Sequence, residues 1–498
     1  MHVATDFTSL PLGEFFLEEI APIWFWLGLA LIVVSTFLSL KSDRTSLVYL
    51  VLSSVFLIVA MRAVLPLIMS KPYSIDVFGY AYWMKVWLKE GFQFTPGPSI
   101  PTALLSYYPN THPVAFLIAY AFVRGGVSMN VFFAWAPSVI YAIDVVLVFF
   151  LARAIGFTHL EAAVATFLMP AQISFGEVIT QWYCPQLVGS ATFLLSMYLI
   201  VKVSKSTGAP AENASLRYKN LTLNRSTPKK GIRSIYLQIL TMMSILLLIF
   251  THHLSTLYFI IVLLGFFLTQ RLLRRFRFPG SSLQVSPFWI VYTSALWAAI
   301  AYFVYPERLY YWIDAARTYL SQFLSGTARG VGDIHGVSTG YWLNLSLLDK
   351  ISSSSYAITI LVLCVVQVVI VSKINGKDSN SPSILKRLGG SLLNNELNST
   401  ILGLISGLAV FLVLGLLLGG FGYPLRVLSF LMIFLSMTAA QPLTRAFEGS
   451  QSKRMKLLVV AIMILLVLLS AHWIFRTFQR NVPAWKEQIP NSLYPQYD

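Results

Sequence analysis

Apolar runs near the length of a bilayer crossing recur along this chain from end to end, and they leave few folds open. A helix needs roughly 20 apolar residues to cross the hydrocarbon core, and backbone inside a membrane must satisfy its own hydrogen bonds. Such runs lie near residues 20–40, 46–69, 130–152, 158–174, 181–201, 234–251, 254–270, 286–305, 354–372, 399–419, 427–444 and 457–475. Hydrophobic residues make up 56% and charged residues 11%, with a mean hydropathy of +0.70. That composition excludes an ordinary soluble domain. The sequence predicts an all-α polytopic membrane protein with twelve spans.

The net charge of +16 is a matter of topology and does not point to nucleic acid. Residues 202–233 hold eight Lys/Arg and one acid, Glu212. Further basic clusters follow at Arg271–Arg277, Lys373–Arg387 and Arg445–Lys456. The positive-inside rule places these loops in the cytoplasm. Residues 1–40 carry no Lys or Arg but hold Asp6, Glu14, Glu18 and Glu19, so that end is expected outside. Loop 306–353 balances four basic against four acidic residues and also reads as outer. Pro113–Val123, at 11 residues, is too short to cross. It is read as a re-entrant or interfacial helix of the first outer loop, and with that choice every basic loop falls inside.

Other signals are weaker. No internal repeat is evident, which disfavours inverted-repeat transporters. The first span lacks the basic start and cleavage site of a signal peptide. Cys184 and Cys364 are the only cysteines, too few for a disulfide framework or a cysteine metal site. Sequons at Asn213, Asn220 and Asn224 lie in a loop expected to be cytoplasmic and unmodified.

The stretch Ser70–His112 carries the densest chemistry. Asp76 opens a segment, Val77–Leu88, whose apolar residues recur at helical spacing and which includes Tyr80 and Trp83. Tyr107-Tyr108-Pro109 and His112 follow before the short helix. A carboxylate at a membrane exit, roofed by a surface helix, suits chemistry on a lipid-attached substrate; a water-solvated acid is the plain alternative. Glu177, between two apolar stretches, is a second acid expected at the same face, as general base, orienting group or metal ligand, or as a solvated turn residue. His252 and His253 sit at the next outer hairpin. On one helix they would point about 100° apart, a poor bidentate metal site, although either could meet a phosphate. Arg426 stands at the outer mouth of a late span, where a guanidinium can clamp a phosphate or simply snorkel. Arg62 and Asp144 are charges within spans and favour structural roles, with mutual pairing one option. Loop 306–353 is long enough to form a lid. No phosphate-binding loop, dinucleotide fingerprint or zincin motif stands out, and no soluble domain is large enough to bind a nucleotide-sugar.

The order of Asp76-Val77-Phe78-Gly79-Tyr80-Ala81-Tyr82-Trp83, Glu90-Gly91 and Tyr107-Tyr108-Pro109 ahead of a short apolar helix resembles the GT-C glycosyltransferases. These multispanning enzymes take sugars from polyprenyl-linked carriers and include protein mannosyltransferases and oligosaccharyltransferases. The resemblance covers residues 46–270 and then Arg426. It departs at Val77, where many members have Glu after the acid, and lacks the Trp-Trp-Asp signature. It implies a GT-C-like bundle of about twelve transmembrane helices with outer juxtamembrane helices. It further implies Asp76 as base, Glu177 as a second acid at the site and Arg426 as a contact to the donor phosphate; His252, His253, Tyr80, Trp83, Tyr108 and His112 are expected beside them as substrate-binding residues. A divalent cation, Mn or Mg, would rest on Asp76 and Glu177. The expected organisation is an extra span at 1–45, a catalytic module at 46–270 with its first outer loop at 70–129, variable helices at 271–475, and a short outer tail at 476–498. The expected partners are a polyprenyl-linked sugar donor, the bilayer and an acceptor glycan, lipid or protein, in a prokaryotic plasma membrane. A lipid or glycolipid flippase and a non-catalytic assembly subunit are the alternatives.

Overall fold

The computed structural model describes residues 48–59, 75–91, 112–172, 183–207, 228–275, 283–304, 358–369, 396–417, 424–449 and 456–469, with isolated positions near 27–34, 313–325 and 454. Every regular element among the described residues is helical. Five helices are long and apolar enough to cross a membrane: Met129–Ile155, Pro185–Ser206, Ser234–Thr251, His253–Arg275 and Phe430–Glu448. Shorter apolar helices include Val48–Val59, Pro113–Arg124, Ile358–Val369 and Lys456–Leu469. Each lies within or close to a predicted apolar run. The expected count of twelve spans draws on stretches, such as 20–40, that fall largely outside the described residues.

Ten helices carry the argument: α1 (Ile75–Glu90), α2 (Pro113–Arg124), α3 (Met129–Ile155), α4 (His159–Gln172), α5 (Pro185–Thr207), α6 (Pro228–Thr251), α7 (His253–Arg275), α8 (Pro287–Val304), α9 (Glu396–Leu417) and α10 (Pro424–Gly449). Local chemistry sets their ends. Gly156 closes α3 at φ 132°, a left-handed conformation that glycine adopts without strain. Two residues later Thr158 and Glu161 exchange backbone and side-chain hydrogen bonds of 2.8 and 3.2 Å, a capping box that starts α4.

Cross-helix contacts fix the directions. α3 and α5 run the same way: Asp144 meets Ser190, Phe150 meets Tyr198 and Ile155 meets Lys205. α5 and α7 also run the same way, since Gly189 packs on Ser255 and Phe193 on Phe259. α6 runs against α5, joined where Ser196 and Ser244 lie 3.2 Å apart, and α9 runs against α7, with Gln270 bonding Ser399 and Tyr258 beside Phe411. The C-terminal ends of α3, α5 and α7 therefore gather at one end of the bundle and bring Arg153, Lys205, Arg274 and Arg275 with them. By the positive-inside rule that end is the one expected in the cytoplasm, and the other is called the outer end on that expectation. The opposite, outer end carries the start of α7 and the turn before α5.

Asp144 is buried in α3, and its partner is a neutral hydroxyl. Ser190 Oγ lies 2.7 Å from Asp144 Oδ2, and among the described residues the other carboxyl oxygen has no hydrogen-bond partner. Arg62, the charge considered from sequence as a partner for Asp144, lies outside the described residues; the Ser190 contact ties α3 to α5. Ser190→Ala should lower stability by about 1–3 kcal/mol, because it leaves a buried carboxyl unbonded. Asp144→Asn keeps an acceptor for the hydroxyl and should stay within about 1 kcal/mol of wild type. Thermal unfolding of the purified variants reads both; equal losses would contradict the assignment.

Candidate functional site

α1 and α2 roof the outer end. Tyr80 meets Phe116 edge-on at 5.5 Å, while Trp87 meets Phe116 at 5.7 Å and Tyr120 at 6.2 Å. The contacts advance together along both helices, so the two run in the same sense. Asp76, the second residue of α1, thus lies one turn ahead of Tyr80, and His112 lies one turn ahead of Phe116. Both precede the ring contact at the same end of the pair. The side chain of Asp76 lies outside the described part of the structure. Trp83 is buried at 1% exposure, so its ring packs into the roof.

α2 lies across the bundle end. Near its start, Tyr183 donates its hydroxyl to Ala115 O at 2.6 Å; near its end, Phe122 stacks on Phe132 at 5.3 Å. Phe132 and Tyr183 are themselves in ring contact at 4.8 Å, so both ends of α2 meet one patch. A proline anchors the arrangement. Pro137 sits inside α3 and has no N–H to offer the carbonyl of Phe133. The Tyr183 backbone N–H occupies that carbonyl at 2.9 Å instead.

Burial, with a smaller contribution from Cys184, pushes the Tyr183 phenol above its ordinary value near 10. The sign follows by linkage: the unfolded chain releases this proton at pH 10 while the folded chain keeps it, so stability falls as pH rises past 10. Tyr183→Phe should cost about 1–2 kcal/mol at neutral pH and flatten that alkaline loss. Unfolding followed between pH 8 and 11 is the check.

Beside this turn three imidazoles converge. His112 and His253 lie parallel with centroids 5.2 Å apart and 10° between planes. His252 stands 5.4 Å from each of them. His112 and His252 are 4% and 6% exposed. The two sequence neighbours do not share one helix, as the sequence reading had considered. α6 ends at Thr251, α7 begins at His253, and His252 alone occupies the reversal. Its Nδ1 lies 2.8 Å from Ser255 Oγ and accepts the Ser255 backbone N–H at 3.2 Å, so the ring caps α7. Gly189 makes room, because a Cβ there would stand 2.7 Å from both His252 Cβ and Ser255 Oγ. Sequence reading missed Gly189 and Ser255. The one available signal was a Ser three residues after His252, at the position that partners a helix cap.

Arg426 lies on α10, one turn before Phe430, which contacts Phe193 at 4.8 Å and Tyr258 at 5.1 Å. One turn outward from those partners come Gly189 and Leu254, so the backbone of Arg426 stands at the level of the histidines. Its side chain lies outside the described part. Glu177 and Tyr108 also lie outside the described residues. The segment holding Glu177 leaves from α4 and returns at Tyr183 in the outer turn. Among the described residues, no three His, Cys, Asp or Glu side chains form a metal-binding group.

No known family profile and no curated protein matches this chain. Among solved structures, the oligosaccharyltransferase of Archaeoglobus fulgidus in its apo form aligns over 88% of this chain and 56% of its own, with TM-score 0.50 and 13% identity. The fold is similar to that of this oligosaccharyltransferase structure. Two further structures from that organism score lower. AglB with an inhibitory peptide and a dolichol-phosphate aligns over 86% of this chain and 55% of its own at 12% identity, TM-score 0.49. The enzyme tethered to an acceptor peptide aligns over 94% and 56% at 12% identity, TM-score 0.44. The chain spans about half the length of these proteins. At such identities the likeness speaks for the fold alone.

Proposed function

We propose that this chain is a membrane glycosyltransferase that moves a sugar from a polyprenyl-phosphate-type carrier to an acceptor at the outer face. The observation that carries the reading is convergence at one bundle end. The start of α1 with Asp76, the His112 end of α2, the start of α7 with its histidines, and the Arg426 turn of α10 gather there. The similarity to a GT-C fold supports the same reading.

In this mechanism the Asp76 carboxylate takes the proton of an acceptor hydroxyl as that oxygen attacks the anomeric carbon of the donor sugar. The new C–O bond forms on the face opposite the phosphate, and the bond to the phosphate oxygen breaks, so configuration inverts. The electron pair leaves with the lipid phosphate, where the Arg426 guanidinium neutralises the charge. Glu177 orients the acceptor. Tyr80 and Trp83 belong to the roof over the sugar, and Tyr108 is assigned to sugar binding with them. A divalent cation, if bound, would draw on Asp76 and Glu177 and supply a counter-charge for the departing phosphate.

The test is transfer by purified protein from a mixed pool of radiolabelled polyprenyl-phosphate and diphosphate sugars to glycan, lipid and peptide acceptors. Label joined to an acceptor with inverted anomeric configuration is the expected result. A product that retains the donor configuration would remove the single-displacement mechanism, and a folded protein that transfers from none of the donors would remove the reading.

A further inference from the structure

We propose that the cavity where the last turns of α7 meet the end of α5 and the start of α8 binds the phosphate headgroup of an anionic phospholipid. The site lies at the basic end of the bundle, opposite the histidines. It requires only that α7 crosses the membrane, as its length and composition allow, and it does not depend on the transferase reading.

A cavity of about 400 Å³ lies between Phe266, Phe267, Arg271 and Arg274 of α7, Ser204 of α5, and residues 284–287 leading into α8. Two arginines line it and no carboxylate does. Phe267, Arg271 and Arg274 follow at four- and three-residue spacing, so they share one face of α7. Arg271 rests its guanidinium on the Phe267 ring, 4.9 Å from the centroid. That contact uses the flat face of the group and leaves its N–H edge to meet an anion. The neutral polar groups are not needed as donors. Gln270 already bonds the Ser399 carbonyl, and Ser286 Oγ already accepts the Phe288 N–H at the start of α8.

The walls change character along α7. Phe267 lies about 10 Å before Arg274 at 1.5 Å per residue, which sets apolar surface toward the hydrocarbon and the arginines beyond it. The same face borders the lipid-facing ridge of the helix. Leu264, Leu268 and Leu272 are 43%, 50% and 55% exposed, and Phe267 and Arg271 stand beside them at three- and four-residue spacing. A molecule with an apolar body and an anionic head meets both surfaces at once. Snorkelling accounts for a single arginine at the membrane edge; it does not account for two on one cavity wall between three helices. Such basic pockets between membrane helices suit anionic headgroups. Phosphatidylglycerol brings a phosphate and no cation, whereas phosphatidylcholine adds an ammonium for which the cavity has no carboxylate.

The experiment adds dioleoyl-phosphatidylglycerol or dioleoyl-phosphatidylcholine to the purified full chain in detergent and reads bound lipid by native mass spectrometry. Phosphatidylglycerol should bind at least about tenfold more tightly. The double variant Arg271→Gln, Arg274→Gln should lose that preference, with phosphatidylcholine binding and the thermal midpoint unchanged, because both side chains are exposed. Gln284→Trp, which fills the cavity without altering its charge, should lose it too. Arg275 is equally exposed but does not line the cavity, so Arg275→Gln should keep the preference. An equal loss in Arg275→Gln would mean that the whole basic end attracts anions, and would overturn the site. So would equal binding of the two lipids by the wild type. Displacement of phosphatidylglycerol by excess inorganic phosphate would make the ligand a free anion and overturn the lipid assignment.

Discussion

Replacing Asp76 by Asn is expected to lower sugar transfer by about 10²–10⁴-fold while the protein stays folded. Asparagine has the shape of aspartate and can orient an acceptor hydroxyl, but it cannot take the proton that hydroxyl must lose. The loss should therefore appear in turnover at saturating donor rather than in donor binding, because the proton moves only in the chemical step. The structural cost is small. Asp76 is the second residue of α1, where its charge favours the helix dipole by about 0.3–1 kcal/mol. A thermal midpoint near that of the wild type, together with single-turnover rates, separates the two effects. Transfer within tenfold of wild type would take Asp76 out of the mechanism.

Gly407→Leu is expected to abolish folding of the α7–α9 pair. A Cβ on Gly407 would fall into the backbone carbonyl of Ile261, and a Cβ on Gly265 would fall onto the backbone of Gly407. A Cβ on Gly403, one turn away, would stand 2.7 Å from the Phe266 ring. Gly403 and Gly407 have the four-residue spacing that lets two membrane helices touch backbone to backbone. Where the obstacle is a main chain, no rotamer change relieves it, so the cost should be about 3 kcal/mol or more. Among the described residues nothing lies within 4 Å of a Cβ added at Gly28, which serves as the control. Gly28→Ala should purify as a monodisperse species with an unchanged midpoint, and Gly407→Leu should aggregate. A well-behaved Gly407→Leu protein would mean that these helices do not approach so closely.

The bundle was legible in the sequence because membrane burial leaves a one-dimensional trace. Apolar runs at 130–152, 254–270 and 427–444 each correspond to a described helix. The outer site was legible only in part. Asp76, His112, His252, His253 and Arg426 could be selected as polar residues at outer turns, but nothing local says that residues 112 and 252 meet. That meeting depends on the crossing of α2 over the bundle, which in turn depends on Tyr183. Tyr183 reaches its place because Pro137, four residues after Phe133, frees a carbonyl on another helix. Such a chain of causes links positions far apart in sequence and leaves no periodic pattern. Asp144 illustrates the same limit: it was legible as a charge within a span, but nothing local points to the serine 46 residues away that bonds it.

A single measurement separates an enzyme from a carrier. The protein is reconstituted into sealed vesicles whose lipid carries a radiolabelled, polyprenyl-linked sugar, with acceptors supplied on the side that the histidine end faces. The account predicts that label leaves the lipid and becomes covalently joined to acceptor on that side, at a rate the Asp76→Asn protein does not match. Label that crosses the bilayer still attached to its lipid, at equal rates for both proteins, would contradict it.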